Sequence, residues 1–133
     1  MSSVTVEAPD YATDPDGEVR AVGDAFEPDA DGVSVTWVNF YNGSRTEQLE
    51  QVSNIIKSTR KVRASHRLAI VNVAAVIECG SAYGATLSVV HDPQGEPRPN
   101  PAHCLIEGIE TAAAALRERL ALKAQVKPFA GKA

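Results

Sequence analysis

The sequence predicts a single α+β domain: a small mixed or antiparallel four-stranded sheet covered by two helices. Three observations lead there. The chain has 133 residues, a length that closes around one core and leaves no room for a second full domain. Short runs with β-branched content recur at 33–40, 68–73, 86–90 and 102–106. Two longer stretches, 44–60 and 110–126, carry helical spacing or helix-favouring residues instead.

Taken in order, residues 1–18 hold few apolar side chains, together with Pro9, Pro15, Asp16-Gly17 and many like charges. Ordering them would gain little, so the composition predicts an acidic mobile arm, a domain over 19–127 and a tail at 128–133. A short extended piece is expected over 20–26, followed by a turn at 28–32 where Asp31-Gly32 supplies conformational freedom. In the first strand Val33, Val35 and Trp37 alternate with Ser34 and Thr36, which suits a half-buried position. Asn42-Gly43 ends it.

Ser44 and Glu47 then stand at capping-box spacing, in which hydroxyl and carboxylate satisfy backbone N–H groups reciprocally, and predict a helix start. Leu49, Val52, Ile55, Ile56 and Thr59 form one apolar stripe of core-packing type. The run 68–77 is too apolar to face water; its β-branched first half reads as a buried strand, and its alanines as a helical turn. Leu87 and Val89 share one side of the next strand. Pro93, Pro97, Pro99 and Pro101 exclude helix and central strand from the connection to 102–106. Gly108 closes that strand, and a helix follows with Ala113, Leu116, Leu120 and Ala124 on its covering face, stopped by Pro128.

Charge divides the chain unevenly. Residues 1–32 carry nine acids against Arg20 alone, whereas the remainder nets +4, with five bases between Lys57 and Arg67. An anion-binding body with an acidic arm is one reading. The plainer reading is that Lys57, Arg60 and Lys61 complement the carbonyl end of the preceding helix. Nucleic-acid binding through 57–67 is weakly supported, because the sequence pI is 5.3 and no aromatic interrupts the run. Two cysteines and an N-terminus without a basic, apolar leader point to a reducing cytoplasm. The longest apolar run is about half of what spans a bilayer, so no membrane segment is expected.

Cys79, His91, His103 and Cys104 gather four of the five metal-prone side chains. Their spacing presents no two ligands on one rigid local element, and adjacent strand residues face opposite ways. No metal or other cofactor is therefore expected, and Cys104 reads as a small core side chain. A nucleophilic cysteine oriented by histidine and Asp92 or Glu78 has the residue types without a motif to fix their geometry.

The segment 91–103 is the most individual. Asp92-Pro93 and Asn100-Pro101 favour turns and stiffen the loop, which has a histidine at each end. If the strands on either side are neighbours, His91 and His103 meet at one sheet edge. Structurally, Asp92 and Asn100 would cap the loop while the histidines bond backbone; functionally, the same residues form a polar recognition site titrating near neutral pH.

Ala25-Phe26, Asp31-Gly32-Val33-Ser34-Val35, Val89-Val90-His91-Asp92-Pro93 and Asn100-Pro101-Ala102-His103, with Gly108, resemble a group of small bacterial proteins. That group shares an "SAF…lSV" front and an "NPAH" rear and has no established activity. The resemblance covers these motif regions only. It implies a bacterial cytoplasmic setting and directs attention to Ser34, His91, Asn100 and His103.

The leading expectation is a non-catalytic accessory protein that binds a protein partner through 91–103 and the basic segment. Its binding residues would be His91, Asp92, Asn100 and His103, with Ser34 beside them and Arg20, Arg63 and Arg67 around them. The alternative is a small hydrolase or nuclease using His91 and His103 as acid and base, with Asp92 as a further candidate and Arg20 or Arg67 holding an anion. An enzyme of that kind requires both histidines in one pocket.

Overall fold

The structure, a computed structural model, describes residues 2–8, 11–13, 19–21, 26, 28, 32–59, 66–109 and 114–129. Its strands are β1 (Ser3–Ala8), β2 (Tyr11–Thr13), β3 (Val19–Ala21), β4 (Val33–Trp37), β5 (Arg67–Asn72), β6 (Ser88–His91), β7 (His103–Glu107) and β8 (Gln125–Pro128). The helices are α1 (Arg45–Thr59), α2 (Val73–Ala82) and α3 (Ala114–Lys123), with a 3-10 turn at Val38–Phe40. Six strands form one antiparallel sheet in the order β6-β7-β4-β1-β5-β8, and β2 and β3 pair separately. The α+β class stands, with six strands in the main sheet rather than four.

The added strands lie at the ends of the sequence. Residues 3–8, expected as part of a mobile arm, form β1, which runs between β4 and β5 near the centre of the sheet. The overall composition of 1–18 hid a local alternation: Val4 and Val6 enter the main core, while Ser3 and Thr5 are buried toward the other face. A strand covered on both faces tolerates small hydroxyl side chains where they find partners, and the Thr5 hydroxyl lies 3.5 Å from the Thr36 carbonyl. At the other end, the expected helix over 110–126 stops at Lys123 within the described residues, and 125–128 pairs with β5. The β-branched Val126 and Pro128, which cannot continue a helix, fit that edge.

The sheet separates two cores. On one face Val4, Val35, Val71, Cys104 and Ile106 pack with Val76 and Cys79 of α2 and with Leu116, Leu120 and Ala121 of α3. On the other, Val52 and Ile56 of α1 pack on Val38 and Leu68. Each fully buried valine or leucine of these layers contributes about 1.5–3 kcal/mol relative to exposure.

Helix α1 starts as its capping spacing predicts: the Ser44 N–H donates to Glu47 Oε1 at 3.0 Å, and the Glu47 N–H to Ser44 Oγ at 3.2 Å. Helix α2 is a full helix rather than a turn. Asn72 caps it, its Oδ1 accepting from the Ala74 and Ala75 N–H groups at 2.8 and 3.3 Å. Gly108 closes β7 at φ +100, where a Cβ would collide with the Thr86 carbonyl oxygen. No helix among the described residues is long and apolar enough to cross a membrane.

Candidate functional site: the β6–β7 hairpin

Strands β6 and β7 pair with Val90 opposite Leu105 and His91 opposite Cys104. Pairing continues past the strand ends into the proline-rich connection. The Asp92 N–H donates to the His103 carbonyl at 2.8 Å, and Gln94 and Asn100 exchange backbone bonds at 3.0 Å each. The 91–103 segment is thus an extended hairpin, its tip exposed at 95–99.

Side chains lock it from within. Asn100 is buried; its Oδ1 accepts from the Ala102 N–H at 3.1 Å, and its Nδ2 donates to Thr36 Oγ1 at 3.3 Å, tying loop to sheet. His103 Nδ1 lies 2.8 Å from the Asp92 carbonyl and 3.3 Å from Asp92 Oδ2. Both of these oxygens only accept, so Nδ1 carries the proton of the neutral ring and Nε2 is its basic nitrogen. Gln94 Nε2 donates to Asp92 Oδ2 at 2.8 Å. His91 Nε2 lies 2.8 Å from the Pro101 carbonyl, which places its proton on Nε2. Asp92 and Asn100 brace the turn while both histidines bond backbone, the structural alternative stated above.

The two histidines do not meet. His91 stands opposite Cys104, the neighbour of His103, so the period-two alternation sends them to opposite faces of the sheet. His103 lines a polar recess of about 20 Å³ with Thr5, Ser34, Thr36, Thr59 and Asn100, enough for about one water. His91 lines a second recess, of about 200 Å³ and mostly apolar, with Ser2, Val4, Trp37, Val73, Val89 and Cys104. The expected meeting at one edge is thereby corrected, and with it the geometry that an acid–base pair required.

An aromatic shelf surrounds His91. The Trp37 ring lies edge-on to it with centroids 5.6 Å apart, and Phe40 lies 6.0 Å from both rings. Phe40 is partly exposed. Cys104, behind the shelf, is 3% exposed, and burial pushes its thiol up from its ordinary range. The nearby Asp92 carboxylate adds to that rise, partly offset by an Asp92 backbone hydrogen bond. Cys104 is thus the core side chain expected of it, not a poised nucleophile.

Of the expected basic residues, Arg67 does not join the site. Arg67 opens β5 opposite Ala8 and Pro128, at the end of the sheet away from His91. It is four strand positions from β6, or about 19 Å at ordinary strand spacing, and its Nη1 donates to the His66 carbonyl. Arg20 belongs to β3 of the small sheet, and its side chain lies outside the described residues, as does all of Arg63. Ser34 lies half-buried at the polar recess. Among the described residues no three His, Cys, Asp or Glu side chains are grouped to hold a metal ion.

Sequence reasoning missed Trp37 as a site residue, although the run Trp37-Val-Asn-Phe40-Tyr41 holds three of the seven aromatics. It also missed Gln94, whose local bond to Asp92 has no sequence signature. No known protein family, curated protein or solved structure matches the chain. The short-motif resemblance gains no support from these comparisons, and the functional reading rests on geometry.

Proposed function

We propose that the chain binds a protein partner through the 91–103 hairpin and the aromatic shelf at its base, as an accessory protein rather than as a catalyst. The observation that carries this is the internal locking of the hairpin. Asp92, Gln94, Asn100 and His103 hold one backbone shape before any partner arrives, so little ordering entropy remains to be lost on binding. The exposed tip then offers Gln94–Arg98 chemistry to a partner, and the shelf offers Phe40 and His91. The separate placement of the histidines argues against the acid–base alternative. Arg67 is no part of the reading, because it lies four strand positions from β6; of the segment 57–67, Thr59 reaches the hairpin, at the recess with His103.

The test is retention of a partner from source-cell lysate by the tagged chain, beside a tip variant carrying Glu96→Lys and Arg98→Glu. A protein retained in stoichiometric amount by the wild type and lost with the variant is expected. Retention indifferent to both the tip and Phe40→Ser would overturn the proposal.

A further inference from the structure

Strand β6 ends the main sheet, and among the described residues nothing pairs with its outer edge. The direction of its free backbone groups follows from one bond. The Asp92 N–H reaches the His103 carbonyl, so in an antiparallel ladder Val90 with Leu105 and Ser88 with Glu107 exchange the remaining bonds. The N–H and C=O groups of Val89 and His91 therefore point away from β7, where no strand among the described residues pairs with them. These two residues also line the apolar recess, whose other walls are Trp37, Val73 and Val4. Backbone edge and side-chain cavity are thus contiguous.

Natural edge strands are commonly blunted by lysine, proline or a bulge. Ser88–His91 has none of these, and Val90 is 41% exposed on the face opposite the recess. Carboxylates mark both ends of the edge: Asp92 follows β6, and Glu107 stands opposite Ser88. Neither β6 nor β7 carries a lysine or arginine, and Arg98 at the tip is offset by Glu96.

We propose that this edge accepts an extended peptide segment of a partner protein as an added antiparallel strand, apolar at its centre and basic at both ends. The second and fourth residues of the segment stand opposite His91 and Val89, whose main-chain groups they bond, and send their side chains into the recess. The third covers Val90. The first and fifth stand by Asp92 and Glu107, where lysine or arginine is favoured. A second copy fits less well. Self-pairing centred on Val90 sets each Asp92 opposite Ser88 of the other copy and beside its Glu107, bringing like charges together.

The proposal rests on the partner-binding reading only in taking the occupant to be a protein segment. It is tested on the full chain with two capped peptides, Lys-Val-Leu-Val-Lys and Glu-Val-Leu-Val-Glu. Binding is read from Trp37 emission, the chain's one tryptophan, and from hydrogen exchange at the Val89 and His91 amides. The lysine peptide should bind roughly tenfold tighter than the glutamate peptide and slow exchange at both amides. Val89→Pro removes an outward N–H without breaking a bond to β7, and should weaken binding about tenfold or more. Glu107→Lys, an exposed change that spares the fold, should weaken the lysine peptide about twofold to fivefold, less so in high salt.

Binding of neither peptide overturns the proposal, as does binding unchanged by both variants. A concentration-dependent dimer dissociated by Val89→Pro would assign the edge to a second copy instead. If a lysate partner is lost with the tip variant but kept by Val89→Pro, strand addition fails while the loop reading stands.

Discussion

Asn100→Ala gives the sharpest test of how the hairpin is held. The asparagine side chain is buried at 7% exposure and makes two bonds, from the Ala102 N–H at 3.1 Å and to Thr36 Oγ1 at 3.3 Å. Ala102 is fully buried, so the variant strands its N–H without the acceptor it now has. Leaving a buried donor unsatisfied costs about 1–3 kcal/mol, and losing the Thr36 bond adds about 1 kcal/mol. A total of about 2–4 kcal/mol corresponds to a fall in Tm of roughly 10 °C for a domain of this size. Urea and thermal denaturation followed by circular dichroism measure it. Asn100→Asp keeps the Ala102 acceptor and forfeits only the donor to Thr36, but it buries a charge and should fall between wild type and alanine at low pH. A loss below about 0.5 kcal/mol for Asn100→Ala would refute the assignment of Asn100 as the tie between loop and sheet.

Three further outcomes follow from single positions. Burial raises the Cys104 thiol above its ordinary value, so its contribution to stability is complete below the unfolded thiol range and is lost as pH rises through the folded one. Denaturation midpoints should therefore decline in alkali less steeply in Cys104→Ser, and a thiol reagent at pH 8 should react with Cys104 only after unfolding. Glu47 is shifted the other way, its carboxylate held below the usual range by the Ser44 backbone and hydroxyl bonds. That contribution is present above the unfolded carboxylate range and lost on acidification, so the Tm difference between wild type and Glu47→Gln should close as pH falls toward 3. Gly108→Ala places a side chain at φ +100 against the Thr86 carbonyl and should cost about 1–3 kcal/mol from the backbone alone, read by urea denaturation.

Period and capping carried the legible part of the fold. The Ser44/Glu47 box and the stripe through Ile56 define α1 because both are local signals that tertiary structure leaves intact. Strand β4 likewise announces itself by alternation. Strand β1 has the same alternation in Ser3–Ala8, but the prolines, Asp-Gly step and like charges of residues 1–18 taken together outweighed it, and six residues become a strand only because β4 and β5 flank them. The hairpin's stiffness could be read from its prolines and Asx-Pro steps. Which face each histidine takes could not, because that depends on register, and a shift of one residue exchanges the faces. The recess by Trp37 is illegible for a related reason: its walls come from β1, β4, β6, β7 and α2, far apart in the chain.

The central place of β1 bears on how the chain reaches its fold. Ser3–Ala8 leaves the ribosome before either strand that will flank it, and Ser3 pairs only when Asn72 has been made. Strand β4 can cover one edge of this alternating segment earlier, but until then its other edge stays open and β5 and β8 have nothing to join them to the rest of the sheet. Every native route must close that long separation, which predicts folding slower than the helix content suggests. It also makes β1 the segment whose delayed docking exposes the chain to mispairing during synthesis.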